Sequence, residues 1–256
     1  MIENKLKAAL ARGDMQIGTW LNMGSDAATE MAGNAGFDWC LIDGEHAPFD
    51  ISVILQQLRV LAACEASPVV RVPVGEAWVI KQVLDLGAQS LLVPMVDTPD
   101  QAAAMVAATR YAPNGVRGMG AAVARASGYG ADPAYVHHAD SQICLLLQAE
   151  TRTSLENLDA ILATEGIDGI FIGPVDLSAD MGYPGNPGAP EVKAAIKDAV
   201  GRIRAAGKTA GIIHYGVADF AYYQEIGVNF LGVSSEAALL RSAMQNVVAS
   251  ARAALS

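Results

Sequence analysis

Short, solid apolar runs recur along the chain, separated by longer stretches in which apolar positions return every three to four residues. The runs are QIGTWL (16–21), WCLIDG (39–44), PVVRVP (68–73), SLLVPMV (90–96), ICLLLQAE (143–150), GIFIGP (169–174), TAGIIHY (209–215) and NFLGVSS (229–235). Most lack alternation, as expected of parallel strands covered on both faces. Between them the helical period predicts helices near 25–36, 51–64, 76–87, 99–109, 152–165, 191–206, 217–226 and 235–253. TPDQ places Thr98 at a cap, Pro99 at the first helical position and Gln101 at the reciprocal capping position, and TSLE repeats the pattern with Thr153 and Glu156. Gly36, Gly87, Gly166, Gly207 and Gly227 follow helices as stop signals.

Eight β-then-α units in 256 residues read as α/β, a single (β/α)₈ TIM barrel occupying residues 1–256. An open doubly wound sheet is the competing fold. The turn after the first run, LNMGSDAA, lacks the G-x-G-x-x-G fingerprint such a sheet uses for dinucleotides. Two connections are longer than tight turns, 110–141 and the Gly/Pro-rich 177–190, and long connections in compact domains are lids, binding loops or contact surfaces. The first carries Arg117 and Arg125, suited to an anion or a neighbouring subunit.

Composition adds a few exclusions. Hydrophobic residues make up 52% and charged residues 17%, enough for a large core, and at 6% aromatics that core should be mostly aliphatic. The net charge of −10 and pI near 4.8 argue against nucleic acid and anionic membrane as partners. They also mean that an acid-binding site needs local positive charge. Cys40, Cys64 and Cys144 are scattered without a CxxC and read as buried thiols in a reducing compartment. The opening MIENKLKAALARGD is a charged amphipathic helix rather than a signal peptide, and no apolar run approaches the roughly 18 residues of a membrane span. A soluble cytoplasmic protein is the default.

In a barrel, chemistry gathers at the carboxyl ends of the strands. There the chain offers Trp20; Asp43, Glu45 and His46; Arg71; Gln148 and Glu150; Asp176; His214; and Ser234, Ser235 and Glu236. Glu150 and Asp176, from adjacent strands, repel unless a cation lies between them, and hard oxygen donors suit Mg²⁺ or Mn²⁺. The competing reading makes them independent, one capping a helix and one paired with arginine. Arg71 fits a carboxylate or an enolate oxygen, or else an ion pair with Asp43 or Glu45. His46 has the pKa range of a general base, oriented by Asp43 or by Asp85, against the plain alternative of an exposed loop histidine. His137 and His138 fall in the long connection, where solvated side chains are expected. Metal, arginine and base together suggest a 2-oxo acid whose enolate is stabilised for aldol addition or cleavage. No lysine sits on an inner strand to form a Schiff base.

GTW, DGEHAPFD, VVRVP, LLVPMV, NGVRG, ARAS, QAET and GPVDLS, in order along nearly the whole chain, resemble the HpcH/HpaI family of class II, metal-dependent pyruvate aldolases. The resemblance implies Glu150 and Asp176 as ligands of a divalent metal (Mg²⁺, Mn²⁺ or Co²⁺), His46 as base and Arg71 as the enolate-stabilising arginine. It also implies Gln148, Gly173, Pro174 and Val175 around the ketoacid, with Trp20 and the two long connections facing the aldehyde. Asp43 and Asp85 would support the histidine and arginine. Small-molecule 2-oxo acids such as pyruvate or hydroxypyruvate, an aldehyde, and a hexameric homo-oligomer with a swapped C-terminal helix follow as expectations. Val175 stands where relatives often carry alanine. The competing functions are a lyase for CoA thioesters like the citrate-lyase β subunit, for which no basic patch is evident, and a non-catalytic organic-acid-binding barrel.

Overall fold

A computed structural model describes residues 3–47 and 50–255; Pro48 and Phe49 of the DGEHAPFD motif lie outside the described residues, as do Met1, Ile2 and Ser256. Every apolar run becomes a strand: β1 Gln16–Leu21, β2 Trp39–Asp43, β3 Ser67–Arg71, β4 Ser90–Val93, β5 Cys144–Ala149, β6 Gly169–Ile172, β7 Thr209–Ile213 and β8 Phe230–Ser235. They pair in parallel in sequence order and close β8 onto β1, so the fold is the eight-stranded barrel and not the open sheet. Registers such as Asp43 opposite Arg71, and Gln148 opposite Phe171, fix which strand-end side chains meet.

The helices are α1 Lys5–Ala11, α2 Asp26–Gly33, α3 Ile51–Leu61, α4 Ala77–Asp85, α5 Pro99–Thr109, α6 Tyr135–His138, α7 Arg152–Glu156, α8 Leu158–Leu162, α9 Pro174–Asp180, α10 Pro190–Ala205, α11 Phe220–Ile226 and α12 Glu236–Leu255. The Thr98–Gln101 capping box forms as expected. The 152–165 segment departs from expectation. It is two helices broken at Asn157, and its cap is Thr151 with Ser154 rather than Thr153 with Glu156. Thr151 is favoured because its hydroxyl also reaches Asp97 on the neighbouring loop, at 2.5 Å. GP after β6 is not strand either; Pro174 opens α9, the helix-start position proline prefers.

Two cores result. Between strands and outer helices lies an aliphatic shell of Leu, Ile, Val and Ala. The core is mostly aliphatic, as expected, but inside the barrel Leu41, Val69, Leu92 and Leu146 surround an aromatic group: Trp20, Trp39, Phe171 and Phe230 pack together, with Trp39 stacked on Phe230 at 4.1 Å and Trp20 at 5.4 Å from both Trp39 and Phe171. A few large rings fill a barrel lumen where the low overall aromatic content gives no warning. Helix α1 closes the base with Leu6 and Leu10. The opposite, carboxyl-end mouth stays open.

The last helix, α12, is different. Of its 20 residues only Glu236 is buried, while Leu239, Leu240, Met244, Val247 and Val248 are exposed. It spans roughly 30 Å with its apolar stripe uncovered by its own barrel. No helix among the described residues is long and apolar enough to cross a membrane.

The lumen's fit depends on Gly18, where any Cβ would overlap the Trp39 indole. Gly18→Ala should lower unfolding free energy by about 1–3 kcal/mol or more, the usual cost of overpacking, read from urea melts. Gly201→Ala, on an open face of α10 with nothing within 4 Å, should instead stabilise by roughly 0.5–1 kcal/mol.

Candidate active site

The ends of β2 and β3 deliver the first half of the mouth. Asp43 and Arg71, opposite each other in register, make a two-pronged ion pair: Arg71 Nε donates to Asp43 Oδ1 and Nη2 to Oδ2, both at 2.8 Å. Arg71 Nη1 reaches Glu45 Oε2 at 2.9 Å. Asp43 Oδ1 also accepts the backbone N–H groups of Glu45 (3.1 Å) and His46 (3.4 Å), and Oδ2 accepts Asn22 Nδ2 at 2.8 Å. Burial works against the Arg71 charge, but the hydrogen bonds and charge of Asp43 outweigh it and hold the guanidinium more firmly protonated than usual. Among the described residues its hydrogen bonds go to Asp43, and Nη1 lies in ion-pair range of Glu45.

The second half comes from β5 and β6. Glu150 is buried just past β5; its Oε1 accepts the Met95 N–H at 3.0 Å and its Oε2 accepts Gln148 Nε2 at 2.5 Å. Met95, at the end of β4, takes a left-handed φ of 55° to make that bond, a conformation that costs a non-glycine residue about 1–3 kcal/mol and gathers at functional sites. Gly173 completes the cradle, because a Cβ there would overlap Glu150 Oε2. Asp176 stands in the first turn of α9. Burial pushes the Glu150 carboxyl above its ordinary range, the Gln148 and Met95 hydrogen bonds pull it back, and the charges of Asp176 and Glu45 push it up again. Burial likewise raises Glu45, opposed by Arg71 and His46.

A cavity of about 340 Å³ opens between the halves. Trp20 and Phe171 line its base, and Asp43, Arg71, Gln148, Gly173, Pro174, Val175 and Asp176 face it, with His46 at the rim. Glu150 sits behind Gln148 and Gly173 rather than on the open wall. Sequence reasoning missed four lining residues, Asn22, Phe171, Ile213 and Tyr215. Asn22 follows β1 in a polar turn without pattern. The alternation on β7 would have put 213 and 215 on one face.

Several expected partnerships change. Asp43 does not touch the His46 ring; it is committed to Arg71, and it meets His46 only through the backbone. The ring is well exposed, with its nearest acid Glu45 at 3.9 Å. Asp85 lies at the far end of α4, bonded to Arg117 at 2.8 Å, so the chain does not bring it to its own His46. Arg117 is buried on Tyr111 and Tyr135 rather than free for an anion, and Arg125 donates to the Leu86 carbonyl at 2.7 Å. His138 is not simply solvated, since it lies 3.4 Å from Asp132. His214 turns away from the cavity to Asp219 at 2.8 Å and the Tyr223 ring. Asp50 caps α3 through Ser52 and Val53.

The geometry agrees with what similar proteins are. The family model described as HpcH/HpaI aldolase/citrate lyase matches residues 16–253. The chain is 54% identical to the hydroxypyruvate/pyruvate aldolase of Agrobacterium fabrum over 91% of this chain and 88% of that one. It is 49% identical to the 4-hydroxy-2-oxo-heptane-1,7-dioate aldolase of Salmonella dublin over 93% and 91%. Among solved structures, an HpcH/HpaI aldolase/citrate lyase family protein from Burkholderia cenocepacia superposes with a TM-score of 0.94 at 36% identity, covering 97% of this chain and 99% of that one. From its first strand to its last helix, the chain belongs to the HpcH/HpaI aldolase/citrate lyase family.

Proposed function

We propose that this carbon–carbon lyase, an aldolase acting on 2-oxo acids, forms and cleaves 4-hydroxy-2-oxo acids, taking pyruvate or hydroxypyruvate as nucleophile and an aldehyde as acceptor. The relatives' names, at about half of all positions identical, support the reaction class. The observation that carries the mechanism is the charge balance at the mouth. Asp43, Glu45 and Glu150 act on Arg71, and Asp176 adds its charge beside Glu45 and Glu150. An anionic ketoacid would not enter so acidic a site without a further cation.

Glu150 and Asp176 fit a divalent metal. Both are carboxylates, each raises the energy of the other's charge, and Glu150 is already oriented by Met95, Gln148 and Gly173. With two protein ligands, positions remain for water and for the carboxylate and keto oxygens of a substrate. When bound, Mg²⁺, Mn²⁺ or Co²⁺ would supply Lewis acidity. The residues do the rest. Arg71, held by Asp43, turns its guanidinium edge toward the developing enolate oxygen. Gln148 and the start of α9 seat the ketoacid over the Trp20 and Phe171 rings. His46 moves the proton at C3 of the nucleophile, or directs it through a water, from the solvent-facing rim. Tyr215, Val175 and the loop after α9 face the side from which the aldehyde would enter.

The exposed apolar stripe of α12 supports a homo-oligomer in which that helix packs on another copy, as the hexamer reading expects.

Proton exchange tests the reading. With Mg²⁺, Mn²⁺ or Co²⁺, the protein should exchange the pyruvate methyl protons in D₂O, seen by NMR. No exchange with any of the three, and no pyruvate release from a panel of 4-hydroxy-2-oxo acids, would sink it. Chelation should abolish exchange and metal should restore it. Glu150→Ala and Asp176→Ala should each weaken metal binding in calorimetry by at least about tenfold. His46→Ala should slow exchange by about 10²–10⁴-fold with metal affinity nearly unchanged; a fully active variant removes it as the base.

A further inference from the structure

Behind the Asp43–Arg71 pair stands a brace that reaches from the catalytic arginine to the last helix. Glu236, the first residue of α12 and its one buried residue, accepts the backbone N–H groups of Asn22 (2.5 Å) and Met23 (2.7 Å) on Oε1. Its other oxygen accepts the N–H of Ala237 at 3.1 Å. The carboxylate therefore pins the turn after β1 to the start of α12. That turn carries Asn22, whose side-chain N–H then closes on Asp43 Oδ2 at 2.8 Å. Asp43 in turn grips Arg71 through both oxygens.

We infer that Asn22 and Glu236 are positioning residues for Arg71, and that through them the seating of α12 sets the aim of the guanidinium. The inference rests on the aldolase reading, in which Arg71 meets the enolate oxygen. Among the described residues Asp43 has four donors on it: Arg71, the Glu45 and His46 backbone N–H groups, and Asn22. Of these, only Asn22 comes from outside the β2–β3 end of the mouth, so it ties the carboxylate to β1, which Glu236 in turn ties across the β8–β1 closure. Removing it leaves Asp43 and Arg71 paired but free to pivot together. Removing the Glu236 carboxylate releases the turn that aims Asn22. Since α12 is otherwise uncovered by its own barrel, its first residue is where a packing change along the helix would be felt at the site.

The test measures pyruvate proton exchange on metal-loaded protein, in wild-type and Arg71→Lys backgrounds. Lysine keeps the charge but cannot make the forked bond to Asp43. With Arg71 present, Asn22→Ala and Glu236→Ala should each slow exchange about tenfold, the scale of a lost hydrogen bond to a charged group. Metal affinity should stay within about twofold. Glu236→Gln keeps an oxygen for the same two N–H groups and should retain most activity. In the Arg71→Lys background the same alanine changes should cost less than about twofold, because residues acting through one group are not additive. Equal losses in both backgrounds, or no loss with Arg71 present, would overturn the brace. Should Glu236→Ala fail to fold, the Asn22→Ala pair decides alone. A wild-type protein without exchange refutes the aldolase reading instead, so the two failures are distinct.

Discussion

The site is organised around a buried ion pair. Asp43 and Arg71 meet at the ends of neighbouring strands because the β2–β3 register sets them side by side, and both are almost wholly removed from water. Such burial is costly unless the charges are matched and hydrogen bonded. Here the cost is offset by a fork of two 2.8 Å bonds and by further donors on the carboxylate. The benefit is geometric. A flexible arginine becomes a fixed one that faces the cavity. His46, the Glu45 loop and the turn after β1 all hang from the same carboxylate.

Opposite this cationic corner the barrel builds an anionic one under equal constraint. Glu150 is held by a backbone N–H that exists only because Met95 adopts a left-handed conformation, by the Gln148 amide, and by a glycine that leaves it room. Burial, and after it the charges of Asp176 and Glu45, push this carboxyl above its ordinary range, against the pull of its hydrogen bonds. Beneath both corners the packed Trp20 and Phe171 rings form an apolar base. The polar groups therefore converge on one small volume, as a ligand site requires.

Much of this was legible in the chain. The unbroken apolar runs gave eight strands, and eight parallel strands with intervening helices leave few ways to close. The acids, histidine and arginine at the run ends were identifiable for the same reason, since polar groups do not stop a buried strand by accident. Pairings were harder. Asp43 read as a support for His46, close in sequence, and also as an alternative ion-pair partner of Arg71; register decided for Arg71. Asp85 and Arg117 both looked available, and packing of the 110–141 connection against α4 joined them to each other. Asn22 gave no signal, being one polar residue in a polar turn.

The sequence by itself determined the barrel, the strand ends that carry chemistry and the family, because these rest on residue type and period, which are local properties. Only the tertiary structure decided which acid holds which base, that aromatic rings fill the lumen, and that Glu236 reaches the turn after β1 from more than 200 residues away. Those outcomes depend on register and closure. The DGEHAPFD stretch thus contributes its histidine to the rim, and its first aspartate holds an arginine 28 residues on.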